Sequence, residues 1–252
     1  MVNAQSGRTI AAIRQQVEAR LQRIPLVART TSLSLKATGL IGRGRQLDHY
    51  LGAVPPEKRC LSIGSGPDLI DGWLCTDLAP TQRGTIYLDV TKQWPMPTAS
   101  FRYIACEHMI EHVPYEAGIK ALGEAHRVLQ PGGVLRLTTP NLDVIRRLPD
   151  SEDPDVHEYV RWFNTMFGSP TQRAEETSPV HTLNLVMHEF GHVYLYDEAT
   201  LRRVLTRAGF RQVVRCEPRM SEHAALVNVD RHADLIPETA NRVESLILEA
   251  TA

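Results

Sequence analysis

Short apolar runs alternate with amphipathic stretches through the middle of the chain. A strand that is buried on both faces produces such a run, so each run predicts one strand of a largely parallel sheet. The runs cover residues 59–63, 73–76, 85–88, 102–106 and 133–139. Between the last two, apolar residues at helical spacing predict a helix over 115–129, which the Gln-Pro-Gly-Gly turn at 130–133 ends. Strands that alternate with helices indicate an α/β fold with right-handed crossovers.

The same alternation resumes near the C-terminus after a long interruption. There the pattern predicts a helix over 198–208 and strands over 210–216 and 245–249. The interruption, residues 141–196, is rich in proline and contains an aromatic group. Its aromatic side chains include Trp162, Phe163 and Phe167. An insertion of this length in an α/β domain is commonly a lid or a binding loop, so we expect it to close over a site.

Residues 1–57 form a separate region of the pattern. From residue 9 to residue 26, apolar side chains recur every three or four positions, which predicts an amphipathic helix. Pro55 and Pro56 then mark a boundary. We therefore predict an N-terminal helical leader or cap over 1–57 and one α/β domain over 58–252.

Composition narrows the function classes. The 252 residues carry a formal net charge of −1, which gives no long-range attraction for nucleic acid or an anionic membrane. No apolar run reaches the length of a membrane span, and residues 1–6 lack a signal-peptide core. The four cysteines are scattered, which indicates reduced thiols rather than disulfides or a metal site. We expect a cytoplasmic protein with a small-molecule or sugar-like partner, and a homodimer is left open.

A glycine turn follows the first predicted strand, and a carboxylate follows the second. Gly64 and Gly66 lack the third glycine of a dinucleotide-binding turn, because Leu69 occupies its place. Asp77 also comes only 11 residues after Gly66, about half the spacing of a dinucleotide site. Asp77 and Asp89 end neighbouring strands, where a carboxylate can accept the hydroxyls of a ribose. The pattern favours an adenosine ligand that brings no diphosphate.

Five short motifs follow one another along the predicted α/β domain. They are Leu-Ser-Ile-Gly-Ser-Gly at 61–66, Asp-Leu at 77–78, Asp-Val at 89–90, Glu-His-Met-Ile-Glu-His at 107–112 and Arg-Val-Leu-Gln-Pro-Gly-Gly at 127–133. In this order they resemble the class I S-adenosylmethionine-dependent methyltransferases, over about residues 58–252. More narrowly, Gly-His-Val-Tyr at 191–194 resembles a bacterial group of predicted methyltransferases, the type 11-like group. One departure is Ser62, where the family often has an acidic residue.

The resemblance implies a Rossmann-like, doubly wound sheet of seven strands with one antiparallel strand, and S-adenosyl-L-methionine as the cofactor. It implies that the glycine turn contacts the methionyl part, Asp77 the ribose and Asp89 the adenine side. Glu107 and His108 would border the sulfonium and the methyl group. The full implied set is Ile63, Gly64, Ser65, Gly66, Asp77, Leu78, Asp89, Val90, Glu107 and His108.

A competing motif is His-Glu-Phe-Gly-His at 188–192, which has the spacing of a zinc peptidase. Such a site needs a helix, so that both imidazoles face one ion. The β-branched and aromatic run at 193–196 favours an extended segment instead. The extended metzincin motif would also place glycine where Leu195 stands. A zinc-dependent hydrolase is the alternative function, beside a non-catalytic cofactor-binding scaffold, and no metal ligand is assigned.

In-line methyl transfer needs an aligned nucleophile, and a hydroxyl nucleophile must also lose its proton. Histidine titrates in a suitable range, so His188 or His192, and with less support His108, are the candidate catalytic bases. The segment after the fourth strand lacks the Asn/Asp-Pro-Pro-aromatic motif of enzymes that methylate base nitrogens. The aromatic side chains of the insertion suit an apolar or sugar-like acceptor, or else only pin the insertion to the sheet. The sequence thus predicts O-methylation of a small molecule or glycan precursor, with N-methylation left open.

Overall fold

The computed structural model describes residues 40, 42–67, 69–80, 82 and 84–252. Its strands are β1 Cys60–Ile63, β2 Leu74–Asp77, β3 Thr85–Tyr87, β4 Phe101–Glu107, β5 Leu129–Pro140, β6 Arg211–Arg215 and β7 Ser245–Thr251. They form one sheet with the spatial order β3-β2-β1-β4-β5-β7-β6. The strands from β3 to β5 are parallel, and β7 runs antiparallel to both of its neighbours. The predicted Rossmann-like sheet of seven strands with one antiparallel strand is confirmed.

Helices flank this sheet. They are α1 Arg43–Ala53, α2 Tyr115–Val128, α3 Leu142–Ile145, α4 Pro154–Phe167, α5 Pro170–Ala174, α6 Pro179–His188, α7 Glu198–Arg207 and α8 Glu238–Glu244. Short 3₁₀ helices cover Pro56–Lys58, Ile110–His112, Leu148–Asp150, Ala224–Leu226 and His232–Asp234. The helix predicted over 9–26 lies outside the described residues, so the 1–57 leader stays a prediction. Within the described ranges, no helix combines the length and the apolar character that crossing a bilayer requires.

Apart from the exposed edge strand β6, the strands are mostly buried, because neighbouring elements cover them. All four residues of β1 are buried. Helix α1 closes one side, where the Tyr50 hydroxyl bonds to both the carbonyl and the N–H of Cys60 at 2.9 Å. The Tyr50 ring also stacks on Phe101, with ring centroids 6.3 Å apart. The four cysteines are free thiols, and three of them are buried in strands, as the sequence predicted.

The connections among the first three strands are short. Ten residues join β1 to β2, and seven join β2 to β3. Among the described residues of these two connections, none is helical, although a parallel crossover usually contains a helix. In the described part of these connections, loops without a helix therefore follow the carboxyl ends of β1 and β2. The glycine turn after β1 contacts the end of β2 directly.

The insertion predicted over 141–196 contains helices instead of an irregular loop. Helices α4, α5 and α6 each have proline at the start, after Asp153, Ser169 and Ser178 respectively. Proline suits the first helical position because its φ is already helical and the N–H that it lacks would have no intrahelical partner there. These three prolines, which interrupt the α/β pattern of the sequence, are therefore helix starts.

These helices build a second apolar core. Neighbouring ring centroids among Trp162, Phe163, Phe167 and Phe190 lie 4.7 to 6.0 Å apart. Buried side chains of α8 and of the segment before it join the same cluster. The aromatic side chains thus pack mainly within the insertion and against α8. The role of the insertion as a lid stays a prediction.

The turn predicted at 130–133 belongs to β5. Helix α2 ends at Val128, and Leu129 already pairs with Phe101 before the register shifts at a bulge. Gly132 has a φ of +75°, and Arg102 Nη1 donates to its carbonyl at 2.6 Å. The glycines therefore form an irregular start to the strand, where the prediction placed a separate turn.

Candidate functional site

The glycine turn after β1 has a backbone that favours glycine. The φ angle is +67° at Gly64 and +55° at Gly66. A Cβ atom on Gly64 would lie 2.7 Å from Met109 Cγ, whereas a Cβ atom on Gly66 would meet no atom of the described residues within 4 Å. Ile63, before the turn, is buried in β1, and the hydroxyl of Ser65 is buried without a hydrogen-bond partner among the described residues. Packing requires Gly64, while Gly66 leaves open space beside the turn.

Asp77 connects the end of β2 to this turn. Its Oδ2 accepts a hydrogen bond from the N–H of Gly66 at 2.9 Å, and its Oδ1 accepts one from the N–H of Ala79 at 2.7 Å. The carbonyl of Asp77 accepts the N–H of Leu88 at 2.9 Å. Leu78 is half-buried. The carboxylate therefore lies at the sheet edge where the sequence predicts a ribose.

Asp89 lies two residues after the end of β3. Its Oδ1 accepts hydrogen bonds from the N–H of Thr91 at 3.0 Å and from the Thr91 hydroxyl at 2.6 Å. The carbonyl of Val90 accepts the indole N–H of Trp94 at 3.3 Å. The loop after β3 thus orients the Asp89 carboxylate, at the same edge of the sheet as Asp77.

Glu107, the last residue of β4, binds a distant segment of the chain. Its two carboxylate oxygens accept the backbone N–H groups of Arg231 and His232 at 2.8 and 2.9 Å. Burial raises the pKa of Glu107. Residues 231–232 are therefore held over the end of β4, a role for Glu107 that the sequence did not predict. Its predicted contact with the cofactor stays a prediction.

His108 has a left-handed backbone with a φ of +44°, which is uncommon for a residue with a side chain. Its Nδ1 lies 3.1 Å from Glu111 Oε1, and its ring centroid lies 4.3 Å from that of His232. Burial disfavours the imidazolium, but the hydrogen bond to Glu111 and the nearby carboxylates outweigh it and raise the pKa of His108 to about 9. Burial likewise opposes ionisation of Glu111, yet the His108 hydrogen bond and the nearby histidines lower its pKa to about 2.

The loop after α6 brings His192 against His112, with ring centroids 5.1 Å apart. The Nδ1 atom of His112 lies 3.2 Å from the carbonyl of Gly191, and that of His192 lies 2.5 Å from the carbonyl of Val186. Because a carbonyl can only accept, each ring donates from Nδ1, and a neutral ring then keeps Nε2 as its acceptor. Burial lowers the pKa of His192, which favours the neutral ring.

His188 lies apart from this pair, exposed at the last position of α6. Since the helix ends there and Gly191 has a φ of +75°, His188 and His192 do not share a helix face. The predicted non-helical course of 193–196 is confirmed, and Tyr196 forms a parallel bridge with Asn141. The zinc-peptidase alternative therefore lacks the helical geometry that it needs.

Other histidines and carboxylates do converge near the end of β4. Among the described residues, two sets of possible metal ligands occur, His108, His232 and Glu244 in one and Glu111, His112 and His192 in the other. In each set the ligand atoms lie within 4.8 Å of one another. His112 belongs to the sequence motif at 107–112 and could be identified from it. His232 and Glu244 belong to no such motif, so the sequence gives no signal for them.

Three features at the carboxyl ends of the strands fit an adenosine cofactor. They are the space beside Gly66, the hydroxyl of Ser65, which has no hydrogen-bond partner among the described residues, and the carboxylate of Asp77. All three lie at the carboxyl ends of β1 and β2, where open α/β sheets bind their ligands.

A known protein family matches most of the chain. The family model described as a methyltransferase domain matches residues 44–214, more than half of the chain. The chain belongs to this methyltransferase family. The predicted S-adenosylmethionine-dependent methyltransferase of class I is confirmed, and S-adenosyl-L-methionine is its expected cofactor. A search of the curated proteins finds no match to this methyltransferase.

Solved structures of other methyltransferases resemble it at low sequence identity. An S-adenosylmethionine-dependent methyltransferase of Archaeoglobus fulgidus is 14% identical, with 83% of this chain and 94% of that chain covered and a TM-score of 0.42. One of Mesorhizobium loti is 16% identical, with 81% and 96% covered and a TM-score of 0.41. One of Thermotoga maritima is 16% identical, with 95% and 98% covered and a TM-score of 0.42.

Proposed function

We propose that this methyltransferase O-methylates a small molecule or a glycan precursor, with His192 as the general base. When bound, S-adenosyl-L-methionine supplies a methyl group on a positively charged sulfur. The turn of Gly64 and Gly66 would hold its methionyl part, Asp77 its ribose and Asp89 its adenine side. The open space beside Gly66 and the orientation of the Asp77 carboxylate support these contacts.

The hydrogen bond between His192 Nδ1 and the carbonyl of Val186 carries the choice of base. It leaves Nε2 of the neutral ring free to receive the proton that an acceptor hydroxyl loses. His108 is less suited, because its hydrogen bond to Glu111 favours the protonated ring. His188 is also less suited, because it is exposed and lies outside the cluster around Glu111.

A cavity of about 620 Å³ beside α4 supports a small acceptor. Its volume lies within the range of small-molecule sites. Its lining includes Arg161, Trp162, Met166, Asp234, Leu235 and Ile236. The 3₁₀ helix His232–Asp234 leads from this cavity to Glu107, whose carboxylate accepts the N–H of His232. Apolar and charged groups together suit a sugar-like or partly apolar molecule.

Charge and cysteine chemistry support the remaining parts of the proposal. A net charge of −1 favours a small acceptor over nucleic acid or an anionic membrane surface. Free thiols suit a reducing compartment, which supports a cytoplasmic location.

A product analysis tests this function. The purified protein is incubated with S-adenosyl-L-methionine and matched pairs of alcohols and amines, including phenols and sugars, and the products are identified by mass spectrometry. We expect methyl ethers, and we expect His192→Gln to lower kcat by about 100-fold or more while the affinity for S-adenosylhomocysteine stays unchanged. His181→Gln is the matched control, because His181 lies near the start of α6, the helix that precedes the His192 loop. Exclusive N-methylation, or an unchanged kcat in His192→Gln, would overturn the proposal.

A further inference from the structure

Two imidazole nitrogens near the end of β4 are buried without a hydrogen-bond partner among the described residues. They are Nε2 of His108 and Nε2 of His232. The two rings lie 4.3 Å apart between centroids. Buried polar atoms in folded proteins nearly always have a partner, so two orphaned nitrogens at one place indicate a group that binds between them.

Glu244 completes the set. It is the last residue of α8 and is buried, and its Oε1 lies 3.6 Å from His232 Nε2. That distance is too long for a good hydrogen bond. It is compatible with two ligands that each lie about 2.1 Å from one ion. The three side chains thus come from the residue after β4, a 3₁₀ helix and α8, and their ligand atoms lie within 4.8 Å of one another.

Neighbouring carboxylates hold two of these side chains in place. Glu111 accepts from His108 Nδ1, which leaves Nε2 of a neutral ring directed away from Glu111. Glu107 binds the N–H groups of Arg231 and His232 and so fixes the backbone that carries the second imidazole. Metal-binding histidines commonly have such an outer carboxylate on the ring nitrogen that does not bind the metal.

We propose that His108, His232 and Glu244 bind one divalent metal ion, zinc or ferrous iron. Two imidazoles and one carboxylate are a common ligand set for catalytic zinc, and the same set suits ferrous iron. The ion would displace the proton from Nε2 of His108, while Nδ1 keeps its hydrogen bond to Glu111. The ion would satisfy both orphaned nitrogens. Three protein ligands leave at least one coordination position open to an oxygen of another molecule.

The second set of possible ligands is less suited to an ion. Both carboxylate oxygens of Glu111 already have partners, because Oε1 binds His108 Nδ1 and Oε2 accepts the hydroxyl of Thr139, each at 3.1 Å. In the proposed site, Glu111 therefore orients His108 and does not bind the metal.

The proposed O-methylation suggests what the ion does, and this step rests on that function. An acceptor hydroxyl bound at the open position would lose its proton more readily, because the cation stabilises the alkoxide. The O–H bond would break with its proton passing to His192, and the oxygen would keep the electron pair. That pair would form the new O–C bond to the methyl group while the C–S bond breaks and its electrons neutralise the sulfonium, which leaves as S-adenosylhomocysteine. Binding of the ion itself does not depend on this role.

Metal titration tests the site. The full chain is treated with EDTA, dialysed and titrated with ZnCl₂ in a calorimeter, and zinc per chain is counted after gel filtration. We expect one zinc ion per chain, and we expect His232→Gln and Glu244→Gln to lose more affinity than the roughly 10- to 100-fold that loss of an outer partner causes. His188→Gln should keep the affinity, because that residue belongs to the peptidase-like motif and not to this set.

Calorimetry with S-adenosylhomocysteine on the same variants reports their folding and keeps the two proposals distinguishable. No stoichiometric zinc in the unmodified protein, or equal zinc affinity in His232→Gln, would overturn the metal site. Loss of zinc in His112→Gln with retention in His232→Gln would overturn it as well. Zinc binding without any binding of S-adenosylhomocysteine would count against the proposed function alone.

Discussion

The carboxylate of Asp77 accepts a hydrogen bond from the backbone N–H of Gly66 at 2.9 Å. Because Asp77 ends β2 and Gly66 lies in the turn after β1, this bond joins two neighbouring strand ends. The same side chain is the proposed ribose ligand.

Asp77→Ala should weaken the binding of S-adenosylhomocysteine by about 10- to 100-fold. A hydrogen bond to a charged group contributes about 1.5–3 kcal/mol, and 1.4 kcal/mol corresponds to a factor of ten. Calorimetric titration measures the change. Asp71→Ala is the matched control, because Asp71 is exposed in the connection between β1 and β2. Equal affinities in the two variants would rule out the ribose contact.

Gly66→Ala should affect the cofactor more than the fold. Gly66 and Gly72 both have positive φ angles, +55° and +78°, and a Cβ atom on either would meet no described atom within 4 Å. Each alanine should therefore cost about 1–2 kcal/mol of unfolding free energy, measured with urea. Only Gly66→Ala should also weaken binding of S-adenosylhomocysteine. Equal binding by both variants would show that the space beside Gly66 is not used.

Gly64→Ala should destabilise the fold more than Gly72→Ala does. It combines the cost of a left-handed backbone with a contact of 2.7 Å to Met109 Cγ and 3.0 Å to Met109 Cβ. These atoms lie near the backbone of Met109 and cannot move away freely, so overpacking adds about 1–3 kcal/mol. Urea denaturation of the two variants measures the difference. A difference near zero would mean that the Met109 backbone yields.

Arg136→Met should cost about 3–5 kcal/mol of unfolding free energy, because it leaves two buried carboxylates without their cation. Arg136 is 1% exposed and binds Asp230 and Glu249, each at 2.6 Å. Arg215→Met is the control, because Arg215 is exposed and its partner Glu198 is only half-buried, so this ion pair should contribute less than about 1 kcal/mol. Similar losses in the two variants, measured with urea, would contradict this account.

Stability should fall between pH 9 and pH 11. Burial raises the pKa of Cys60 from 9.0 to about 11. In this range the unfolded chain has released a proton that the folded chain still binds, so the free energy of unfolding decreases as pH rises. Burial raises the pKa of Tyr50 in the same direction. Urea denaturation across the range measures the slope, which should be smaller in Cys60→Ala. An equal slope in that variant would exclude Cys60 as a cause.

The insertion contains helices α4, α5 and α6 where the sequence pattern predicts a loop. Their starting prolines follow Asp153, Ser169 and Ser178, and such pairs are helix N-termini. Proline in a segment without predicted strands indicates a loop, although the same residue is favourable at the first helical position. Capping at Ser169 by a reciprocal bond with Gln172 was readable from the sequence.

The parallel sheet, the glycine turn and the position of Asp77 can be predicted from the amino-acid order alone. Burial on both faces leaves a continuous apolar run, and a left-handed backbone leaves a glycine, so both are visible locally. The approach of His232 and Glu244 to His108, in contrast, follows from the three-dimensional packing. Their meeting depends on how α8 and a 3₁₀ helix pack over β4, and contacts between distant segments leave no periodic pattern in the chain.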